Sequence, residues 1–313
     1  MKFAVDPWDP SYGSSVDNDM APSDAVVIVD VEREPHEWEP LDPPATTEIR
    51  PAVMFVDGVR RLLARAWLTG ANGIAIPGIF ASYAAGIVRC EGSVAKVDHI
   101  AVGHGLYSPA EDLADVVTKH ATFTAKQTKE GTPEALTFAL HDDMAATELV
   151  VAEAARRGGD ELIIVDGPIR KRGHIRDAVG FIKSHNVKYL PPELDVVVAK
   201  LAAGQRTPLF RIDSPPFGRA AWYLRLPCTI DTPWAGIVRC EATGAIPTRE
   251  LAALADTVTA MVPRFASQPH KDTRAPQNLY PIAGLERDLR HRLGDQKLLY
   301  RSLRLAAVAP TVP

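Results

Sequence analysis

Residues 52–61, "AVMFVDGVRR", and residues 161–172, "ELIIVDGPIRKR", decide how this chain is read. Each is an apolar run that ends on Val-Asp-Gly, with basic residues directly behind it. An isolated Asp-Gly is a turn signal. Two of them closing strongly apolar strands say more: Asp57 follows Ala-Val-Met-Phe-Val, and Asp166 follows Leu-Ile-Ile-Val. If the two strands are neighbours in one sheet, both carboxylates converge at one edge. Carboxylates held that close repel, and one takes up a proton unless a cation intervenes. Mg²⁺ and Mn²⁺ favour such oxygen ligands. Two ions about 4 Å apart stabilise both the attacking and the leaving oxygen of a phosphodiester. That chemistry needs three or four carboxylates.

The pieces around these runs set the fold class. "GIFASYAAGIVRCEG" and "KVDHIAVGHGLY" follow the first run as strands rich in Val, Ile and aromatics. "ALTFALHDDMAATELVVAEAARRGG" is a helix that stops at a Gly pair. "ELIIVDG" suits a strand buried on both faces. Further strands are expected in "AVGFIKS", "AAWYLRL" and "WAGIVRCEA", and helices in "TRELAALADTVTAMVPRFA" and "AGLERDLRHRLGDQKLLYRSLRLAA". Three strands, a helix bearing acids, then a strand ending in Asp is the order of an α/β, ribonuclease-H-like mixed sheet flanked by helices. "AGIVRCE" occurs at residues 85–91 and 235–241, an offset of 150, whereas the two aspartates lie 109 apart. A duplication gives one common offset, so no internal repeat is inferred.

The domain is expected to span residues 51–313. Residues 1–50 differ in texture: twelve acids against three bases give this segment −9, and the remainder +5. "EPHEWEPLDPP" cannot form a regular helix. "DAVVIVDVE" reads as a strand, so the segment is expected to be an acidic, Pro-rich arm that crosses the domain surface or meets a partner. The net charge of −4 neither demands nor forbids nucleic acid, because a local field is what steers a polyanion. No apolar run is long enough for a membrane span, and the first residues lack a secretory signal. Three widely spaced cysteines suggest neither a disulfide framework nor a zinc site. The expectation is a cytoplasmic protein with no membrane association.

Further acids lie on the helices. Glu148 and Glu153 are five residues apart, so one of them faces the site; Glu286 and Asp288 are also poorly aligned with each other. Basic residues suited to phosphate follow the aspartates: Arg60 and Arg61, then Arg170, Lys171 and Arg172, with Lys183, His185 and Lys188 further on and Arg287, Arg290, His291 and Arg292 near the end. Few aromatics are interleaved, so base stacking is not supported.

From about residue 52 to 293 the set "FVDGVRR", acid-bearing helix, "LIIVDGPI", "VGFIKS", "IVRCE" and "LYPIAGLERDLRH" resembles the NurA-type DNA nucleases, partners of a HerA-type hexameric ATPase. The resemblance implies a dimeric enzyme that uses Mn²⁺ or Mg²⁺, two ions in all, on DNA ends and single strands. It implies that Asp57, Glu148 and Asp166 are metal ligands, that Lys183 contacts phosphate or steadies a ligand, and that Tyr280 is the family tyrosine. The family's last ligand is a histidine in a Tyr-Pro…Ala-His segment. "YPIAGLERD" has none at that place; Glu286 stands nearest, with Asp288 as an alternative and His291 one turn beyond. A catalytically silent DNA-binding or scaffold subunit of the same motor is the alternative. A phosphotransferase of the actin and sugar-kinase type finds no Walker A and no GxGxxG here.

Overall fold

The computed structural model describes residues 16–22, 25–69, 73–169, 175, 177–213, 218–228 and 234–308. Arg170, Lys171 and Arg172 lie outside the described residues. In chain order the strands and helices are β1 (Val16–Pro22), β2 (Val26–Ile28), β3 (Ala52–Thr69), β4 (Ala75–Glu91), β5 (Val94–Ser108), β6 (Val116–Val117), β7 (Thr122–Gln127), α1 (Pro133–Ala155), β8 (Leu162–Asp166), β9 (Ala178–Ile182), β10 (His185–Lys188), α2 (Pro192–Lys200), β11 (Phe210–Asp213), β12 (Arg219–Arg225), β13 (Ile237–Thr243), α3 (Thr248–Met261), α4 (Tyr280–Arg292) and α5 (Gln296–Val308). Among the described residues eleven strands follow one another in a mixed sheet, and β1 pairs separately with β10. This is the α/β class that the sequence order predicts. The fourth strand of the motif, β8, is a neighbour of the first, β3.

Two compact units are distinguishable. The first comprises Met1–Phe55, Arg89–Lys96 and Arg156–Ala283. Its strands run β2-β11-β12-β13-β9-β8, with β8 parallel to β9 and the pairs from β9 through β13, β12 and β11 to β2 antiparallel. Leu162 to Val165 of β8 are fully buried, as a four-residue apolar run demands of a strand covered on both faces. Helix α2 packs Leu194, Val197 and Val198 against Phe210, Tyr223 and Ile237.

The described part of the acidic arm belongs to this unit. Strand β2 adds antiparallel to β11. Trp38 is buried in the α2 cluster and donates its indole N–H to the Val29 carbonyl at 3.2 Å. Glu32 grips Arg206 through two parallel hydrogen bonds of 2.8 Å each, and also accepts the Leu209 N–H at 2.8 Å. Arg206 donates as well to Asp256 at 2.8 Å.

His185, counted with the phosphate-suited bases on sequence, is 1% exposed and so is removed from that group. Its ring lies against Tyr223 and Trp234, and its Nε2 meets the Ile237 carbonyl at 3.2 Å. Burial, aided by the nearby Arg239, pulls its pKa from 6.5 down to about 4. The unfolded chain therefore takes up this proton first as the pH drops. Stability present at neutral pH is lost progressively between pH 6.5 and 4, by about 2 kcal/mol at pH 5. Urea unfolding at pH 7 and pH 5 checks this; His185→Phe should remove most of the difference.

The second unit comprises Val56–Val88, Val97–Ala155 and Gly284–Pro313. Strand β3 changes character on entering it. Residues 52–57 are all buried, whereas from Gly58 onward buried and open positions are interleaved. Leu63, Leu106 and Phe123 close a cluster with Leu299 and Leu303 of α5. Helix α1 seats Leu136 and Leu140 on Ile79, Ala81 and Tyr107, and the Tyr107 hydroxyl donates to Asp143 of that helix at 2.8 Å. Gly86 lets α4 approach β4: a Cβ there would stand 3.1 Å from both Leu285 and Leu289. The C-terminal helical run is broken at Gly294, whose φ of +79° ends α4, and the Asp295 carboxylate caps α5 through the Leu298 N–H at 2.9 Å. Among the described residues no helix is long and apolar enough to cross a membrane.

Candidate metal centre

The two Val-Asp-Gly segments turn out to be different devices. The first is not a strand end: β3 continues past Asp57 to Thr69. Gly58 is there because a helix side chain comes too close for anything larger. A Cβ on Gly58 would collide with Glu148 Oε1 and stand 2.8 Å from Met144 Cγ. The glycine thus admits the α1 carboxylate onto the strand backbone beside Asp57. Of the two helix acids, Glu148 is buried and Glu153 exposed. Asp57 is itself buried, and its Oδ1 accepts the Gly58 N–H at 2.8 Å. From α4, Glu286 brings a carboxylate oxygen within 4.8 Å of one from Asp57. Its neighbours do not share that role: Asp288 pairs with Arg292 at 3.2 Å, and His291 is exposed.

Gly58→Ala tests this account. The atoms in the way belong to the flexible side chains of Glu148 and Met144, so the fold should survive with a cost of about 1–3 kcal/mol from overpacking. Adding Glu148→Ala should recover part of that cost, and a double-mutant cycle in urea measures the coupling.

The second Val-Asp-Gly is a true exit. Asp166 is the last residue of β8, and Gly167 adopts φ +88°. The Gly167 N–H returns to the Phe181 carbonyl at 2.9 Å. The turn lies flat on β9: a Cβ on Gly180 would stand 2.5 Å from Ile169 N and 2.8 Å from Gly167 O. Parallel pairing sets Asp166 opposite Phe181, and Lys183, two residues further on, shares that face. Its ammonium donates to Asp166 Oδ2 at 2.7 Å and to Asn278 Oδ1 at 3.0 Å. Asp166 Oδ1 is buried and accepts no hydrogen bond among the described residues.

The basic residues take varied places. Arg60 donates to the His141 ring. Arg61 donates to the carbonyls of Gly294 at 2.7 Å and Arg290 at 3.0 Å, which caps the end of α4. Tyr280 opens α4, half-buried, with the Lys271 ammonium 5.3 Å over its ring. Arg287, Arg290 and Arg292 are exposed on α4.

The chain matches no protein-family model and no curated protein. Among solved structures it is similar to the NurA nuclease from Sulfolobus solfataricus. That match has 11% identity over 88% of this chain and 89% of the other, with a TM-score of 0.43. It is also similar to an endonuclease V from Bacillus subtilis, at 11% identity over 82% of this chain and 87% of the other, with a TM-score of 0.32.

Sequence reading missed Asn278 and Asp272, which stand behind Lys183. Neither has a signature beyond lying just ahead of the "LYP" segment, since a polar pair in a Pro-containing loop reads as turn chemistry.

Proposed function

We propose that this chain is a divalent-metal-dependent deoxyribonuclease whose metal ligands are the acids expected from the sequence, Asp57, Glu148, Asp166 and Glu286. The observation that carries this reading is that Asp57, which is buried, and Glu286 bring carboxylate oxygens within 4.8 Å of each other, with the buried Glu148 carboxylate seated against Gly58. The donor set fits: it consists of carboxylate oxygens, which suit Mg²⁺ or Mn²⁺, and the cysteines Cys90 and Cys240 are buried thiols whose pKa values burial raises. When bound, such a cation supplies Lewis acidity toward a phosphodiester and makes water a nucleophile at neutral pH.

The chain's own groups have separate tasks in this reading. Lys183 neutralises one oxygen of Asp166 and leaves the other for the cation. Arg60, Arg61, Arg170, Lys171, Arg172 and Tyr280 are the residues that this reading, following the sequence, assigns to DNA contact. A homodimer and a HerA-type hexameric ATPase partner, both implied by the sequence resemblance, complete the proposal, with DNA end processing as the activity.

The test is cutting of end-labelled linear DNA with Mn²⁺, with Mg²⁺ and with EDTA, alone and with the partner ATPase. Cutting that requires metal supports the proposal. Absence of cutting in every arm, with DNA binding retained, makes the chain a silent subunit of the motor instead.

A further inference from the structure

Resting on that metal-site reading, we infer that Asn278 is a positioning residue that selects which oxygen of Asp166 is offered to the cation. Asn278 is fully buried in the loop ahead of α4. Its Oδ1 accepts from Lys183 at 3.0 Å, and its Nδ2 donates to Asp272 Oδ2 at 2.8 Å. Asp272 is fixed in turn, because its Oδ1 accepts the Arg274 N–H at 2.8 Å and its carboxylate pairs with the Arg274 guanidinium at 3.8 Å. The Asn278 N–H bonds to the Arg274 carbonyl at 2.9 Å, which closes the loop on itself.

The chemistry allows only one orientation of this amide. An ammonium can only donate and an ionised carboxylate can only accept. Flipping Asn278 would set its NH₂ against the Lys183 ammonium and its carbonyl against Asp272. The amide is therefore a polarity-matched link between a fixed carboxylate and a mobile four-carbon side chain. Lysine carries about 2 kcal/mol of rotamer entropy and adopts many positions unless it is held. Held at this one, it engages Asp166 Oδ2 at 2.7 Å and leaves the buried Oδ1 as the oxygen without a hydrogen bond among the described residues. The ordered chain Asp272–Asn278–Lys183–Asp166 thus fixes the ligand face of the metal site from behind.

The experiment uses the full chain and reads Mn²⁺ affinity by electron paramagnetic resonance, kcat and KM on labelled DNA, and the urea midpoint. Asn278→Asp sets two carboxylates face to face and should weaken Mn²⁺ binding about 10–100-fold, as loss of an outer-sphere partner does. It should lower kcat with little change in KM for DNA. The double variant Asn278→Asp/Asp272→Asn restores the donor–acceptor match and should recover most of both losses, which a merely structural defect would not do. In a Lys183→Met background, Asn278→Asp should have no further effect on Mn²⁺ affinity. Wild-type Mn²⁺ affinity in Asn278→Asp, or no recovery in the double variant, overturns the inference while the metal site stands, provided that Asp57→Ala abolishes binding. Failure of the wild type to bind Mn²⁺ overturns the metal-site reading and this inference with it.

Discussion

Asp57→Ala is expected to abolish metal-dependent DNA cutting and, in EDTA, to leave the protein at least as stable as the wild type. The two halves of this result have one cause. Asp57 is buried on β3 with a Glu286 oxygen within 4.8 Å. Without a cation, two carboxylates this close repel each other. Removing one relieves the repulsion, although a small void is left. With a cation, the same closeness becomes binding energy, and the wild type gains about 2.7 kcal/mol at a metal concentration 100 times Kd. The loss of cutting should exceed about 100-fold, since removing even an outer-sphere partner costs 10–100-fold. Melting curves with Mn²⁺ and with EDTA, beside the DNA assay, check both halves. A wild type that gains nothing from Mn²⁺, or an Asp57→Ala chain that gains as much, would sink the assignment.

Arg206→Ala is expected to be the most destabilising substitution outside the apolar core, at about 3–5 kcal/mol, because it leaves buried carboxylates uncompensated. Arg206 is 2% exposed and is held by both oxygens of Glu32 and by Asp256. Glu32 lies on the arm, so the substitution should also release residues 25–50 to proteases before the remainder unfolds. Burial acts to raise the Glu32 pKa, but Arg206 and the Leu209 N–H outweigh it and hold the pKa below its usual 4.5. This contribution is thus present above about pH 4.5 and fades as the pH falls further. Urea unfolding and timed proteolysis of wild type, Arg206→Ala and Glu32→Gln measure it. Equal midpoints in all three would refute the lock.

The strands of this fold were legible because they are apolar and β-branched. β3, β4, β5, β8, β9, β12 and β13 all fall where runs of Val, Ile and aromatics stand. The short pieces β6, β10 and β11 were not legible, since two to four residues carry no periodicity. The spacing of Glu148 and Glu153 sets them in different directions on α1, and one is buried while the other is exposed. The role of Gly58 could not be foretold, because Asp-Gly as a turn and Asp-Gly as a slot for a helix side chain have the same sequence. The cap that Arg61 makes on α4 spans 233 residues to Gly294, beyond any local pattern. Asn278 was hidden for the same reason, since its meaning comes from Lys183, 95 residues earlier.

The Glu32–Arg206 pair also has a meaning in time. Its partners are 174 residues apart, and Glu32 emerges first. At a synthesis rate of about 5–20 residues per second, the arm waits roughly 10–35 s on the ribosome before its arginine exists. For that interval β2 has no β11 to join, and Val26 and Ile28 are open to other strands. Residues 1–50 carry twelve acids against three bases, and like charges on neighbouring nascent arms repel one another during the wait.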